Sequence, residues 1–185
     1  MILDIAFLDD ATRPTAPRLE GLTASQRAAG EHLREVHDHL RENMRVIRDL
    51  IQLASEGHAS PAEVAEQTAG LTMLDNFRRF GNLCGRYCMV VNTHHSLEDQ
   101  HVFPALAAQS DGYRRVTERL QAEHVVVHDL LERQIEALNI LAGAPTAEHF
   151  DNARTIFAAL ERVLGSHLGY EEDQIGDALG YFNIF

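Results

Sequence analysis

Apolar residues recur about every three or four positions along most of the chain, and no stretch alternates with a period of two long enough to read as a strand. Leu33, Leu40, Met44, Ile47 and Ile51 define one helical face. Phe80, Leu83, Tyr87, Val91 and Val102 define a second, and Leu120, Val127, Leu131 and Ile135 a third. Ile156, Leu160, Val163 and Leu164 define a fourth. Capping signals set the ends. Thr23 or Ser25 caps a helix over about 25–56 that ends near Gly57. Ser60-Pro61 followed by Glu63 opens a short helix reaching about Gly70. Thr72 with Asp75 resembles a capping box and opens a long helix to about Val102, stopped near Pro104. Gln109-Ser-Asp-Gly112 reads as a turn before a helix over about 113–142. Gly143-Ala-Pro-Thr146 connects to a last helix over about 147–179.

The pattern predicts an all-α protein, an up-and-down four-helix bundle with a short extra helix, since short connections favour antiparallel neighbours. Residues 1–22 carry Pro14, Pro17 and Gly21 and read as an irregular N-terminal arm. Residues 23–179 form the bundle, and 180–185 an apolar C-terminal tail. The tail has two candidate seats, the end of the bundle or a second copy of the chain in a homo-oligomer.

Polar residues inside those apolar stripes change the picture. His94 and Glu98 lie in the middle of the second stripe, four residues apart, and His167 and Glu171 extend the fourth at the same spacing. His124 and His128 share the third face, and His37 lies on the first. Residues four apart stack on one side of a helix. A single histidine on an apolar face is usually a core residue with its own hydrogen bond. Two buried acids among five inward histidines are not explained that way, because an unpartnered buried carboxylate is costly. His95 falls at the edge of its stripe and Asp99 outside it. His32, His39, His58, His95 and His149 read as solvated or edge residues, and His101 as an end or solvent residue. Tyr87, two turns before His94 on the same face, reads as core, with a hydrogen-bond donor beside His94 as the alternative.

Five imidazoles and two carboxylates exceed one tetrahedral zinc site. They suit two metal ions bridged by the carboxylates, and a mixed nitrogen and oxygen shell points to iron. Five nitrogens divide three and two, which leaves the ion with two an open position for a small neutral ligand such as O2, or for peroxide.

The order H…HxxxE…HxxxH…HxxxE resembles the haemerythrin-like, or HHE cation-binding, proteins. The string His94-His-Ser-Leu-Glu-Asp-Gln-His-Val-Phe-Pro104 is very similar to that family's second-helix motif. Ala122-Glu-His124 and Val36-His37-Asp-His-Leu40 resemble the third-helix and first-helix motifs, and the likeness covers about residues 25–179. It implies two Fe ions with an oxo or hydroxo bridge. His124, His128 and His167 would hold one, His37 and His94 the other, and Glu98 and Glu171 would bridge them. Oxygen-carrying invertebrate haemerythrin has its last carboxylate as an aspartate five residues after the last histidine. That position is Glu172 here, so Glu172 is the alternative to Glu171.

Three functions are open to such a centre: reversible binding of O2, NO or peroxide; a di-iron catalase-like or oxidase activity; or a sensor of iron, oxygen or redox state. The net charge of −12 disfavours nucleic acid and anionic membrane as partners. No apolar run approaches a membrane span. The N-terminal MILDIAFLDD lacks the basic flank of a signal peptide, so the cytoplasm is the expected location. Cys84 and Cys88 read as small core residues, because Cβ atoms on adjacent helical turns stand too far apart for a disulfide.

Overall fold

The computed structural model describes residues 4–56, 85–144 and 146–184, with the backbone alone at 50, 53–55, 85–90 and 142. The expected short helix at 61–70, the Thr72 box and Cys84 lie outside the described residues, as do the side chains of Tyr87 and Cys88. Five α-helices are described: α1 Ala24–Ser55, α2 Gly85–Leu97, α3 Phe103–Ala107, α4 Asp111–Gly143 and α5 Ala147–Tyr181. No strand occurs among the described residues, and no helix among them is long and apolar enough to cross a membrane.

Three helices, α1, α4 and α5, begin where a cap residue supplies an acceptor. Thr23 forms a reciprocal box with Gln26: Gln26 N–H donates to Thr23 Oγ1 at 3.2 Å, and Thr23 N–H to Gln26 Oε1 at 2.9 Å. Ser110 Oγ accepts from Tyr113 N–H, and Thr146 Oγ1 from His149 N–H. The end of α5 is a Schellman turn. Asn183 takes a positive φ of 53°, Ile184 N–H donates to Leu179 O, and Asn183 N–H donates to Gly180 O.

One boundary departs from the sequence expectation. The helix does not stop at Pro104. α2 passes through a π-helical turn, Glu98–Val102, and continues as α3. The amide of Phe103 bonds to Glu98 O, five residues back, so the helix widens by one residue there. Pro104 then falls in the first turn of α3, where a missing N–H breaks no bond. Single π turns inside α-helices gather at functional sites, and this one begins at a buried glutamate.

The chain divides into two compact units. The first comprises Met1–Ile5, Leu40–Asn92 and Val127–Val163. Its core is Ala137, Leu141, Phe150, Ala153 and Ile156, flanked by Ile51 and Leu138. The second comprises Ala6–His39, Thr93–Val126 and Leu164–Phe185. Leu33, Val102, Phe103, Leu106, Val116, Leu120, Ile175 and Leu179 lie in its core, and Phe182 and Ile184 of the tail pack against it. Within this unit α1 and α5 cross closely. A Cβ on Gly30 would come within 2.8 Å of Gly176 O, and one on Gly180 would collide with Gln26 O. Only glycine allows that approach, and it brings His37, two turns beyond Gly30, against Glu171 and Glu172, about one turn before Gly176.

Candidate metal centre

Two groups of donor atoms converge in the second unit. His37, His94, Glu98 and Glu171 form a mixed group, and His95, His124 and His167 form a three-histidine group. Within each, the donor atoms lie within 4.8 Å of one another. His37, His95, His167 and Glu171 are fully buried, and only the side chain of His94 keeps a solvent edge, at 14%. His37 Nε2 and His94 Nε2 stand 3.0 Å apart. That is the separation expected of two ligand nitrogens about 2.1 Å from one ion at roughly a right angle. The rings of His95 and His124 stack at 3.8 Å, and His167 lies edge-on to both.

The carboxylates connect the groups. Glu98 Oε1 lies 3.2 Å from His94 Nε2, and its Oε2 lies 3.7 Å from His124 Nε2. Glu171 Oε2 lies 3.6 Å from His37 Nε2 and 3.5 Å from His167 Nε2. Each glutamate therefore reaches from the mixed group to the three-histidine group.

A second ring of carboxylates fixes how the imidazoles face. His37 Nδ1 meets Glu172 Oε1 at 2.8 Å, His124 Nδ1 meets Asp99 Oδ1 at 3.0 Å, and His167 Nδ1 meets Glu123 Oε2 at 3.1 Å. A carboxylate only accepts, so in each pair Nδ1–H donates and the lone pair of Nε2 faces inward. Glu123 is held in turn by Arg13 and Arg119. Burial alone would raise its carboxyl, but hydrogen bonds from His167, Arg13 and Arg119 outweigh that and bring it down to about 2.

The electrostatics of the inner residues test whether they fit a metal ion. Burial, reinforced by the charge of Glu171, pushes Glu98 well above the usual carboxylate range. Burial likewise lifts Glu171 to about 7. Burial and the neighbouring imidazoles drop His94 to about 3, and burial lowers His124. The fold thus holds neutral imidazoles beside carboxylates that resist ionising, which is costly without a cation. Glu98 Oε2, His167 Nε2 and both oxygens of Glu171 are buried without a hydrogen-bond partner. A divalent cation would satisfy them, and neutral nitrogen with carboxylate oxygen is the donor set of a first-row transition metal. The residues fit such an ion.

Six of the seven residues read from the sequence as ligands stand in these groups: His37, His94, Glu98, His124, His167 and Glu171. His128 is half-buried on α4 and enters neither group. The third imidazole beside His124 and His167 is His95, which the helical wheel put at the edge of its stripe. His94 and His95 lie about 100° apart around α2, and a helix flanked by two others can direct ligands both ways. Glu172 turns outward from the ligand set to hold His37. Asp99 and Glu123, which hold His124 and His167, were not singled out. Their one signal is that each sits beside a ligand in the chain.

Fold and site together define an all-helical protein with a buried histidine–carboxylate metal-binding centre. The family model for the Hemerythrin HHE cation binding domain matches residues 28–179. The chain belongs to that family, and its fold is the helical bundle the family implies. Comparison with curated proteins and with solved structures returned no match.

Proposed function

We propose that this is a non-haem di-iron protein that binds O2, or a related small ligand such as NO or peroxide, at a carboxylate-bridged pair of ions. The observation that carries the reading is the reach of Glu98 and Glu171 into both donor groups. A site for one ion has no use for two shared carboxylates.

The two groups offer unequal shells. Three imidazoles and two shared carboxylates supply five donors on one side; two imidazoles and the same carboxylates supply four on the other. The four-donor side also carries the solvent edge at His94. An exchangeable ligand is therefore best received there. When bound, ferrous ions supply the electrons and the open coordination position that a small neutral ligand takes. The protein's own share is to keep the imidazoles neutral, hold their Nε2 atoms inward and exclude bulk water from the shared carboxylates. The ring of Phe103, 5.3 Å from that of His124, walls one side of the three-histidine group.

Anaerobic loading with Fe(II), followed by O2 and then by its removal, tests the proposal. A charge-transfer absorption that appears with O2 and disappears on deoxygenation is the expected result. An irreversible change contradicts reversible binding. Peroxide given to the same sample separates the enzymatic alternative: O2 evolution above that of free iron, lost in His94→Ala, would make this a peroxide-consuming enzyme.

A further inference from the structure

The arm read from the sequence as irregular lies along α4 and α5 in the second unit, and it ends on Glu123, the carboxylate that holds His167 from outside. Asp9 caps a 3-10 turn, Asp10–Thr12, that presents Arg13. The guanidinium forks onto Glu123, Nε to Oε1 at 2.8 Å and the second terminal nitrogen to Oε2 at 3.0 Å. The first terminal nitrogen donates to Ser166 Oγ, whose hydroxyl donates to Asp10. Arg119 reaches the same carboxylate at 2.6 Å and returns to the arm through Thr12 Oγ1 and Asp9 O. Further along, Tyr170 O–H donates to Pro14 O, Ala16 N–H to Gln174 Oε1 and Tyr113 O–H to Pro17 O. Gly112 leaves the room that Pro17 fills.

A segment that only covered apolar surface would need Ala16 and Leu19, which pack on the core. It would not need to bring an arginine to a side-chain exposure of 15% against a glutamate at 4%. Desolvating such a pair is costly unless its geometry is well made and its remaining valences are used. Here the remaining valence of Glu123 goes to Nδ1–H of His167. The path from arm to centre is therefore Arg13, Glu123, His167.

We propose that the N-terminal arm is a clamp on the three-histidine group: Arg13 is a positioning residue that acts through Glu123 on His167, so that arm docking and occupancy of that metal position strengthen one another. The inference rests on the metal reading above. Linkage makes the coupling reciprocal: what the docked arm adds to metal affinity, bound metal adds to arm docking.

The test uses the full chain, loaded anaerobically with Fe(II) and challenged with a colorimetric ferrous chelator. Arg13→Ala should speed extraction of one ion severalfold, less than the about 10–100-fold range for losing the outer hydrogen bond to a metal-bound histidine itself, because Arg119 still holds Glu123, and leave the other at the wild-type rate. Arg13→Lys keeps the charge but not the fork and should fall between. In a Glu123→Gln background, Arg13→Ala should add nothing further. Trypsin should cut after the exposed Arg18 more slowly in the loaded protein than in the metal-free one. Unchanged helical content by circular dichroism keeps these variants interpretable. Equal extraction from wild type and Arg13→Ala, with equal cleavage of loaded and metal-free chains, overturns the clamp alone. Faster loss of both ions overturns its assignment to the three-histidine group. A wild-type chain that takes up no iron overturns the metal reading and the clamp with it.

Discussion

The two donor groups share their carboxylates and differ in nearly everything else. The mixed group has two imidazoles, the solvent edge at His94 and one outer carboxylate, Glu172, on His37. The three-histidine group is buried, two of its rings stack with the third edge-on, and Asp99 and Glu123 hold two of them from outside. On the di-iron reading proposed above, the difference would separate two tasks that one ion performs poorly together. A closed, well-braced shell retains its metal; a shell with fewer donors and an edge can exchange a ligand.

The largest test removes what the groups share. Glu171→Ala should lose both ions, with affinity down by more than about 100-fold, the upper range for losing an outer partner alone. Metal analysis after gel filtration reads the count. Loss of one ion only would mean that Glu171 serves one group and that the bridge is absent.

The next test separates His95 from His128. His95→Ala should lower the count by one ion and leave the mixed group loaded. His128→Ala should keep both ions. The reverse result would restore the assignment that the family resemblance implied and remove His95 from the shell.

The pH dependence of metal uptake is a further consequence. Glu171 is lifted by burial from 4.5 to about 7, so below about 7 an incoming ion must displace its proton. His94, lowered to about 3, carries none to displace. Apparent affinity should rise with pH, by up to about tenfold per unit for each proton released, through the range in which Glu171 gives up its proton, and Glu98, also raised by burial, extends the rise. Isothermal titration in buffers of different ionisation enthalpy counts the protons. In the metal-free fold the raised Glu171 acts in the opposite sense. The folded state keeps a proton that the unfolded chain releases, so its contribution to stability falls as pH rises from 4.5 through about 7. The difference between wild type and Glu171→Gln in urea unfolding isolates that slope. A metal affinity flat between pH 5 and 8, on the order of a constant value, would contradict the shift.

The smallest effect belongs to the outer ring. Glu172→Gln keeps the shape but loses the charge on His37 Nδ1 and should weaken the mixed-group ion by about tenfold. The three-histidine ion should be unaffected. Loss of both ions in this variant would make Glu172 itself a ligand.

These residues also show how far the sequence could be read. The inward stripes led to His37, His94, Glu98, His124, His167 and Glu171 because burial on one helix face is periodic. His128 lies on the same stripe as His124 without entering the donor groups named above, since a stripe says only that a residue faces inward. His95 broke the rule of one direction per helix. Asp99, Glu123 and Glu172 each stand next to a ligand, about 100° round the helix, and periodicity reads such positions as solvent-facing. The passage of the helix through Pro104 depends on hydrogen-bond register in a π turn, which residue type did not reveal. Arg13 was invisible for another reason. It pairs with Glu123 across the fold from a segment with no periodicity at all.

The central claim is that one buried site holds two unequal ions joined by Glu98 and Glu171. Iron analysis of the reconstituted wild-type chain, paired with electron paramagnetic resonance after oxidation, tests it most directly. The account predicts two irons per chain and no signal from isolated high-spin ferric ion, because bridged ferric ions couple. One iron per chain, or an isolated ferric signal that accounts for all the iron, would contradict it.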